Sequence, residues 1–176
     1  MISARGTDPR GPLGRQIVVA SLAATVVMAA GGFATLLGPW YEALRKPPWQ
    51  PPGWVFGPAW TTISILTVIA AVRAWRRAET LATKRWLILA FTLNGGLNFL
   101  WSVLFFTLRR PDWALIEVVF LWFSILSLII LCGRLSRLSS LLLLPYLGWV
   151  SFAAFLNFTI VQLNAPFAGL IRSVAT

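Results

Sequence analysis

WALIEVVFLWFSILSLIILC, Trp113 to Cys132, decides the fold, because it contains a single charged side chain, Glu117. An α-helix rises about 1.5 Å per residue, so a run of this length reaches across the roughly 30 Å hydrocarbon core of a bilayer. Polar punctuation closes it at both ends, with Arg109, Arg110, Pro111 and Asp112 before it and Gly133 and Arg134 after it. Working outward, the same pattern recurs at 86–108 and 141–163, and again toward the N-terminus at about 16–38 and 54–74. These runs predict an all-α integral membrane protein, a bundle of five transmembrane helices over 16–164. A basic N-terminal tail, 1–15, and a C-terminal tail, 165–176, flank it. A transmembrane barrel would show alternating segments of about ten residues instead, and lipid tolerates no unpaired backbone.

Composition agrees: 58% of the chain is hydrophobic and 11% charged, against about 25% charged in soluble domains. The net charge of +10 sits in the gaps between apolar runs rather than on one folded face. That distribution orients a chain in a membrane and argues against a nucleic-acid partner. With the N-terminus inside, Arg5, Arg10, Arg15, Arg73, Arg76, Arg77, Lys84, Arg85, Arg134 and Arg137 fall on the inner side. Arg45, Lys46, Arg109, Arg110 and Arg172 fall outside. The bias predicts an inside N-terminus, with the C-terminus and the first loop outside. Cys132 is alone and histidine is absent, which excludes an internal disulfide, a Ser-His-Asp triad and most metal sites, so no metal is expected.

The first run has small residues every four positions, Ala30, Ala34 and Gly38, a spacing that lets another helix come close. A cleavable signal peptide is the alternative, but the apolar stretch exceeds the usual signal core, so a retained helix is expected. The loop PWYEALRKPPWQPPG, Pro39 to Gly53, carries five prolines that forbid a continuous helix, with room for one turn at Trp40 to Leu44. A long connection among tight ones suggests function. Trp40, Tyr41, Trp49 and Trp54 also suit a headgroup-level aromatic belt.

Polar groups within the runs are the candidates for function, since lipid penalises them unless they find partners. Asn94, Asn98 and Trp101 share one helix face by spacing, and so do Trp149, Ala153 and Asn157, with Asn164 two turns further on. Amides that merely cross-link helices would look the same individually. Two stripes pairing amide with indole suit a flat apolar ligand with a polar edge, with Trp60, Trp101 and Trp149 placed around a cavity. Glu117 has the choice of snorkelling to the interface or pairing with a base. No second intramembrane carboxylate is present to make it a proton relay.

The segment WYEALRKPPWQPPGWVFGPAW, Trp40 to Trp60, resembles the signature of the TspO/translocator protein family, the tryptophan-rich sensory proteins. LNFLWSVLFF, Leu97 to Phe106, and PYLGWVSFAAFLNFTIVQLN, Pro145 to Asn164, resemble its third- and fifth-helix motifs, so the likeness runs from Ile17 to Asn164. The resemblance implies a five-helix bundle, often a homodimer, in a bacterial cell membrane. It also implies a pocket beneath the first loop for porphyrin or haem-like tetrapyrrole, with no cofactor required. Its ligand-binding positions carry over to Tyr41, Pro51, Trp54, Phe56, Trp60, Asn94, Asn98, Trp149, Ala153 and Asn157. Ser64 and Asn94 stand where many relatives have Tyr and Gln. Phe158 and Gln162 replace the hydroxyl and base of the sterol pattern, so sterol binding is not expected.

The expected function is tetrapyrrole binding in sensing, sequestration or transport. Trp60 and Trp149 would flank the ring, with Asn94 and Asn98 on its edge, Arg45 or Lys46 near its carboxylates and the proline loop as a lid. The alternatives are light- and oxygen-dependent porphyrin breakdown in the same pocket, or a regulatory membrane protein acting through Arg76 and Arg77.

Overall fold

The computed structural model describes residues 12–35 and 38–167, and its described residues form helices and loops without strands. Arg5, Arg10, Arg172 and most of both tails lie outside them, as does the side chain of Ala30. The helices are α1 (Leu13–Ala34), α2 (Pro39–Ala43), α3 (Phe56–Arg77), α4 (Leu81–Ser102), α5 (Pro111–Gly133) and α6 (Arg137–Asn164). Four segments are long and apolar enough to cross a membrane, Gly53–Arg77, Leu81–Thr107, Pro111–Gly133 and Arg137–Asn164, and a shorter apolar helix is recognised at Leu13–Val27.

Local chemistry sets the ends. Thr80 caps α4 by accepting the Thr83 N–H at 3.1 Å, and Ser136 starts α6 in the same way with Ser139. Both helices therefore begin earlier than the apolar runs do. Lys84 and Arg85 belong to the opening of α4, where Lys84 lies over the Trp75 ring at 5.4 Å. Pro111 takes the first position of α5, where its missing N–H costs nothing. Arg110 pairs with Asp112, Nε to Oδ1 at 2.8 Å, and lies 4.2 Å over Trp113. At the end of α4 the chain widens into a π-helical segment, Val103–Thr107, and turns at Arg109, whose φ of 55° is left-handed.

The first run ends before its expected limit. Helix α1 stops at Ala34, and Gly38 caps α2 instead of extending α1. Ala34 is buried, and its carbonyl accepts from the Thr107 hydroxyl at 3.2 Å; further along, α4 comes close as well, since a Cβ on Gly95 would lie 3.1 Å from Val27 Cγ2.

Packing closes a ring in the order α1, α3, α6, α5, α4 and back to α1, and the α5–α6 contact is the most extensive. Leu128, Cys132 and Leu143 fill one end with Ala70 and Ala74. Ile63, Val118, Leu121, Ile125, Tyr146 and Val150 fill the middle. Leu44, Phe105, Ala114, Leu156 and Ile160 fill the end under the proline loop. Ile65, Ile88, Leu93, Ile116, Phe120, Phe123 and Phe155 point outward, the reverse of a water-soluble bundle.

Candidate ligand-binding site

A groove of about 500 Å³ runs between α3 and α6. Small or ring-closed residues make it: Pro58 and Ala59 on α3 face Pro145 and Gly148 on α6, so neither helix supplies the bulk to fill the gap. Pro145 lies inside α6 and deprives the Leu141 carbonyl of its usual partner, which a helix packed among others tolerates. Trp54, Trp149 and Phe152 form the walls. Trp54 is 75% exposed, a broad aromatic face at the rim.

An aromatic series continues from the groove into the loop. Phe56 meets Trp149 edge-on at 5.6 Å, Trp149 meets Phe152 at 5.5 Å, and Trp49 of the loop stacks on Phe155 at 5.1 Å. The loop is also fastened by Asn164, which bonds both backbone groups of Arg45. Sequence reasoning placed Asn164 only as a distant member of an amide stripe. Its position at the last residue of α6, facing a loop that must be held over the bundle, was the available signal.

Asn94 and Asn98 do share a face of α4, and both point at Tyr146. Asn98 donates to the Tyr146 hydroxyl at 3.1 Å; that hydroxyl donates to Asn94 Oδ1 at 3.3 Å, and Asn94 Nδ2 donates to Ser124 at 2.8 Å. The network ties α4, α5 and α6 together. Asn94 is only 5% exposed, so its amide is engaged in packing here and does not line the groove. Tyr146 was not singled out from sequence, although its hydroxyl is the hub.

Asn157 is 1% exposed and sits against the start of α5. With its amide oriented to satisfy both neighbours, it donates to the Pro111 carbonyl at 3.0 Å and accepts from the Leu115 N–H at 3.1 Å. It therefore bonds both members of the first i, i+4 backbone pair of α5 and ties α6 to the start of that helix. Tyr41 lies at the other side of the loop, packed on Phe106 at 5.6 Å and bonded by Gln50 at 3.3 Å. Trp60 connects the two regions, touching the Tyr146 ring edge-on at 6.1 Å and packing in the same cluster as Trp149. Pro51 and Ala153 are half-buried. Of the expected positions, the structure thus brings Trp54 and Trp149 to the groove, with Phe56 against Trp149, Asn94, Asn98 and Trp60 to the Tyr146 hub, and Tyr41 and Asn157 to separate packing roles.

Among the described residues Glu117 neither reaches the surface nor pairs with a base. It is 6% exposed, and neither of its carboxyl oxygens has a hydrogen-bond partner among the described residues. The nearest base along its helix, Arg110, lies about 10 Å away by helical rise and is engaged by Asp112.

Long apolar helices with an aromatic-walled groove between two of them define an integral membrane protein. The sequence model of the TspO/MBR family matches residues 18–163, and the chain belongs to that family. It is 37% identical to the tryptophan-rich protein TspO of Chlorobaculum tepidum over 86% of this chain and 99% of that one. The Archaeoglobus fulgidus tryptophan-rich protein TspO is 40% identical over 85% and 97%. The human translocator protein is 30% identical over 74% and 78%.

Proposed function

We propose that this protein binds a tetrapyrrole, a porphyrin or haem-like molecule, in the groove between α3 and α6, and that it senses, sequesters or moves it. In this reading α1 is a fifth span, the N-terminus is inside and the protein works as a homodimer. The observation that carries it is the apolar groove walled by Trp54, Trp149 and Phe152. Its volume is within the roughly 300–1,000 Å³ of small-molecule sites. Indole walls offer stacking surface to a flat conjugated ring, and the groove is open at the side, where a hydrophobic ligand arrives from lipid. The names of relatives, tryptophan-rich sensory protein and translocator protein, fit a sensing or transport role.

The test is titration of the purified protein with protoporphyrin, followed by tryptophan quenching. Saturable binding that falls about tenfold in Trp149→Ala supports the groove. Absence of saturable binding removes it. Trp149 at the groove wall also favours the second reading, light-dependent breakdown of the bound ring. Illumination with oxygen would then yield a new absorbing product, lost in Trp149→Phe.

A further inference from the structure

The end of the bundle away from the proline loop holds a second hollow, of about 400 Å³, where three helix ends meet. It is lined by Arg77 at the end of α3, Glu79 and Thr80 in the following turn, Thr83 in the opening of α4, and Arg134 and Leu135 just after α5. Both arginines are exposed, and among the described residues neither guanidinium has a hydrogen bond or an ion pair. The ion pairs found among those residues, Lys46 with Glu42 and Arg110 with Asp112, lie at the opposite end. The threonines add a donor. Their hydroxyls share one hydrogen bond of 2.8 Å, and Thr80 Oγ1 also accepts the Thr83 N–H at 3.1 Å. Whichever hydroxyl donates in the shared bond, the other keeps its hydrogen for a ligand.

The level of the hollow decides what fills it. The apolar segments Gly53–Arg77 and Pro111–Gly133 end here, and Leu81–Thr107 and Arg137–Asn164 begin here. The hollow therefore sits where hydrocarbon gives way to headgroups. Leu81, Trp86 and Leu138, on the first turns of α4 and α6, are exposed and offer an apolar flank to acyl chains. Glu79 sets one carboxylate against the two guanidinium groups, but it is outweighed from outside the hollow. Arg73, Arg76, Lys84, Arg85 and Arg137 all lie within about two turns of the same helix ends, and their summed field draws an anion in. A guanidinium matches the oxygens of a phosphate with two parallel N–H bonds. Basic pockets between the ends of spanning helices are where acidic lipid headgroups bind. A soluble anion gains from the bases alone, whereas a lipid gains from the bases and the apolar flank together.

We infer that this hollow binds the phosphodiester headgroup of an anionic phospholipid, held by Arg77 and Arg134 with a threonine hydroxyl as third donor. It shares no lining residue with the groove between α3 and α6, and it stands or falls whatever that groove binds.

Phosphatidylglycerol and phosphatidylcholine with the same acyl chains, added in equal amounts to the detergent-solubilised protein, test the site when the retained lipid is counted by native mass spectrometry. The expected result is retention of phosphatidylglycerol over phosphatidylcholine by about tenfold or more, falling to about twofold in Arg77→Gln/Arg134→Gln. Arg73→Gln/Arg85→Gln removes the same charge from the same end but outside the hollow, and should keep most of the preference. All four arginines are exposed, so both double variants should unfold at the native midpoint. A native preference below about twofold overturns the site without recourse to any variant. An unchanged preference in Arg77→Gln/Arg134→Gln also overturns it, and so do equal losses in the two double variants, since binding is then diffuse attraction to a basic surface. Glycerol phosphate in large excess separates the two sources of a phosphate group. Little of the lipid should be displaced; full displacement assigns the hollow to a soluble phosphate and overturns the lipid.

Discussion

The carboxamide of Asn164 grips Arg45 by both backbone groups, accepting its N–H at 2.8 Å and donating to its carbonyl at 2.9 Å, across 119 residues of sequence. A third bond, to the Ile160 carbonyl at 2.8 Å, fixes the amide to its own helix. The proline-rich loop is consequently hinged to the end of α6 at one point and stacked on it at another, through Trp49 and Phe155.

Replacing Asn164 by Leu leaves the Arg45 backbone without its partner. The expected cost is about 1–3 kcal/mol, felt locally. Amide exchange at 40–50 should accelerate while that of α5 and α6 stays protected; equal exchange in variant and native protein would show that the loop is held by its aromatic contacts alone.

The Tyr146 hub gives a second expectation. Tyr146→Phe removes the acceptor of Asn98 and the donor to Asn94 while keeping the ring against Trp60. Measured interhelical bonds in membranes average about 0.6 kcal/mol, so a loss of about 1 kcal/mol is expected for the pair, read as a lower unfolding midpoint in mixed detergent. Protoporphyrin affinity should change less than about twofold, since the hub lies behind the groove. A large affinity loss with unchanged stability would reassign Asn94 and Asn98 to the ligand.

Hydrophobic run length made the spans 54–74, 86–108, 113–132 and 141–163 legible, because lipid-facing and core-facing positions are both apolar and the signal does not depend on phase. Helix ends were less so. Hydropathy stops where charge begins, yet Lys84 and Arg85 continue α4 because Thr80 caps it and Trp75 covers the lysine. For the site, spacing put Asn94 with Asn98 correctly, but it gives no partner across helices. A tyrosine such as Tyr146 reads as core or interface until its neighbours are known. The same limit hid Asn164, whose role depends on a loop far away in sequence. Glu117 was visible as an anomaly, but whether it reached water depended on the tilt and packing of α5.

The approach of α1 to α4 rests on Gly95. A Cβ there already falls 3.1 Å from Val27 Cγ2, so Gly95→Leu must push the helices apart or force off-rotamer side chains. A destabilisation of about 1–3 kcal/mol is expected, visible as a lower thermal midpoint. Val27→Ala in the same chain should recover part of it; no recovery would place the strain elsewhere than at this contact.

Gly148 offers the sharpest separation of folding from binding. A Cβ at Gly148 meets nothing within 4 Å, and the residue lines the groove opposite α3. Gly148→Leu therefore projects into the groove without disturbing packing, and losing a glycine from a helix interior is itself favourable by about 0.5–1 kcal/mol. The variant should unfold no earlier than the native protein and bind protoporphyrin about tenfold or more weakly, because the side chain occupies space between Trp149 and Trp54 that a flat ring needs. Stability and affinity moving in opposite directions cannot come from general damage. If affinity is instead unchanged, the ligand does not lie between α3 and α6, and the aromatic walls there face only lipid.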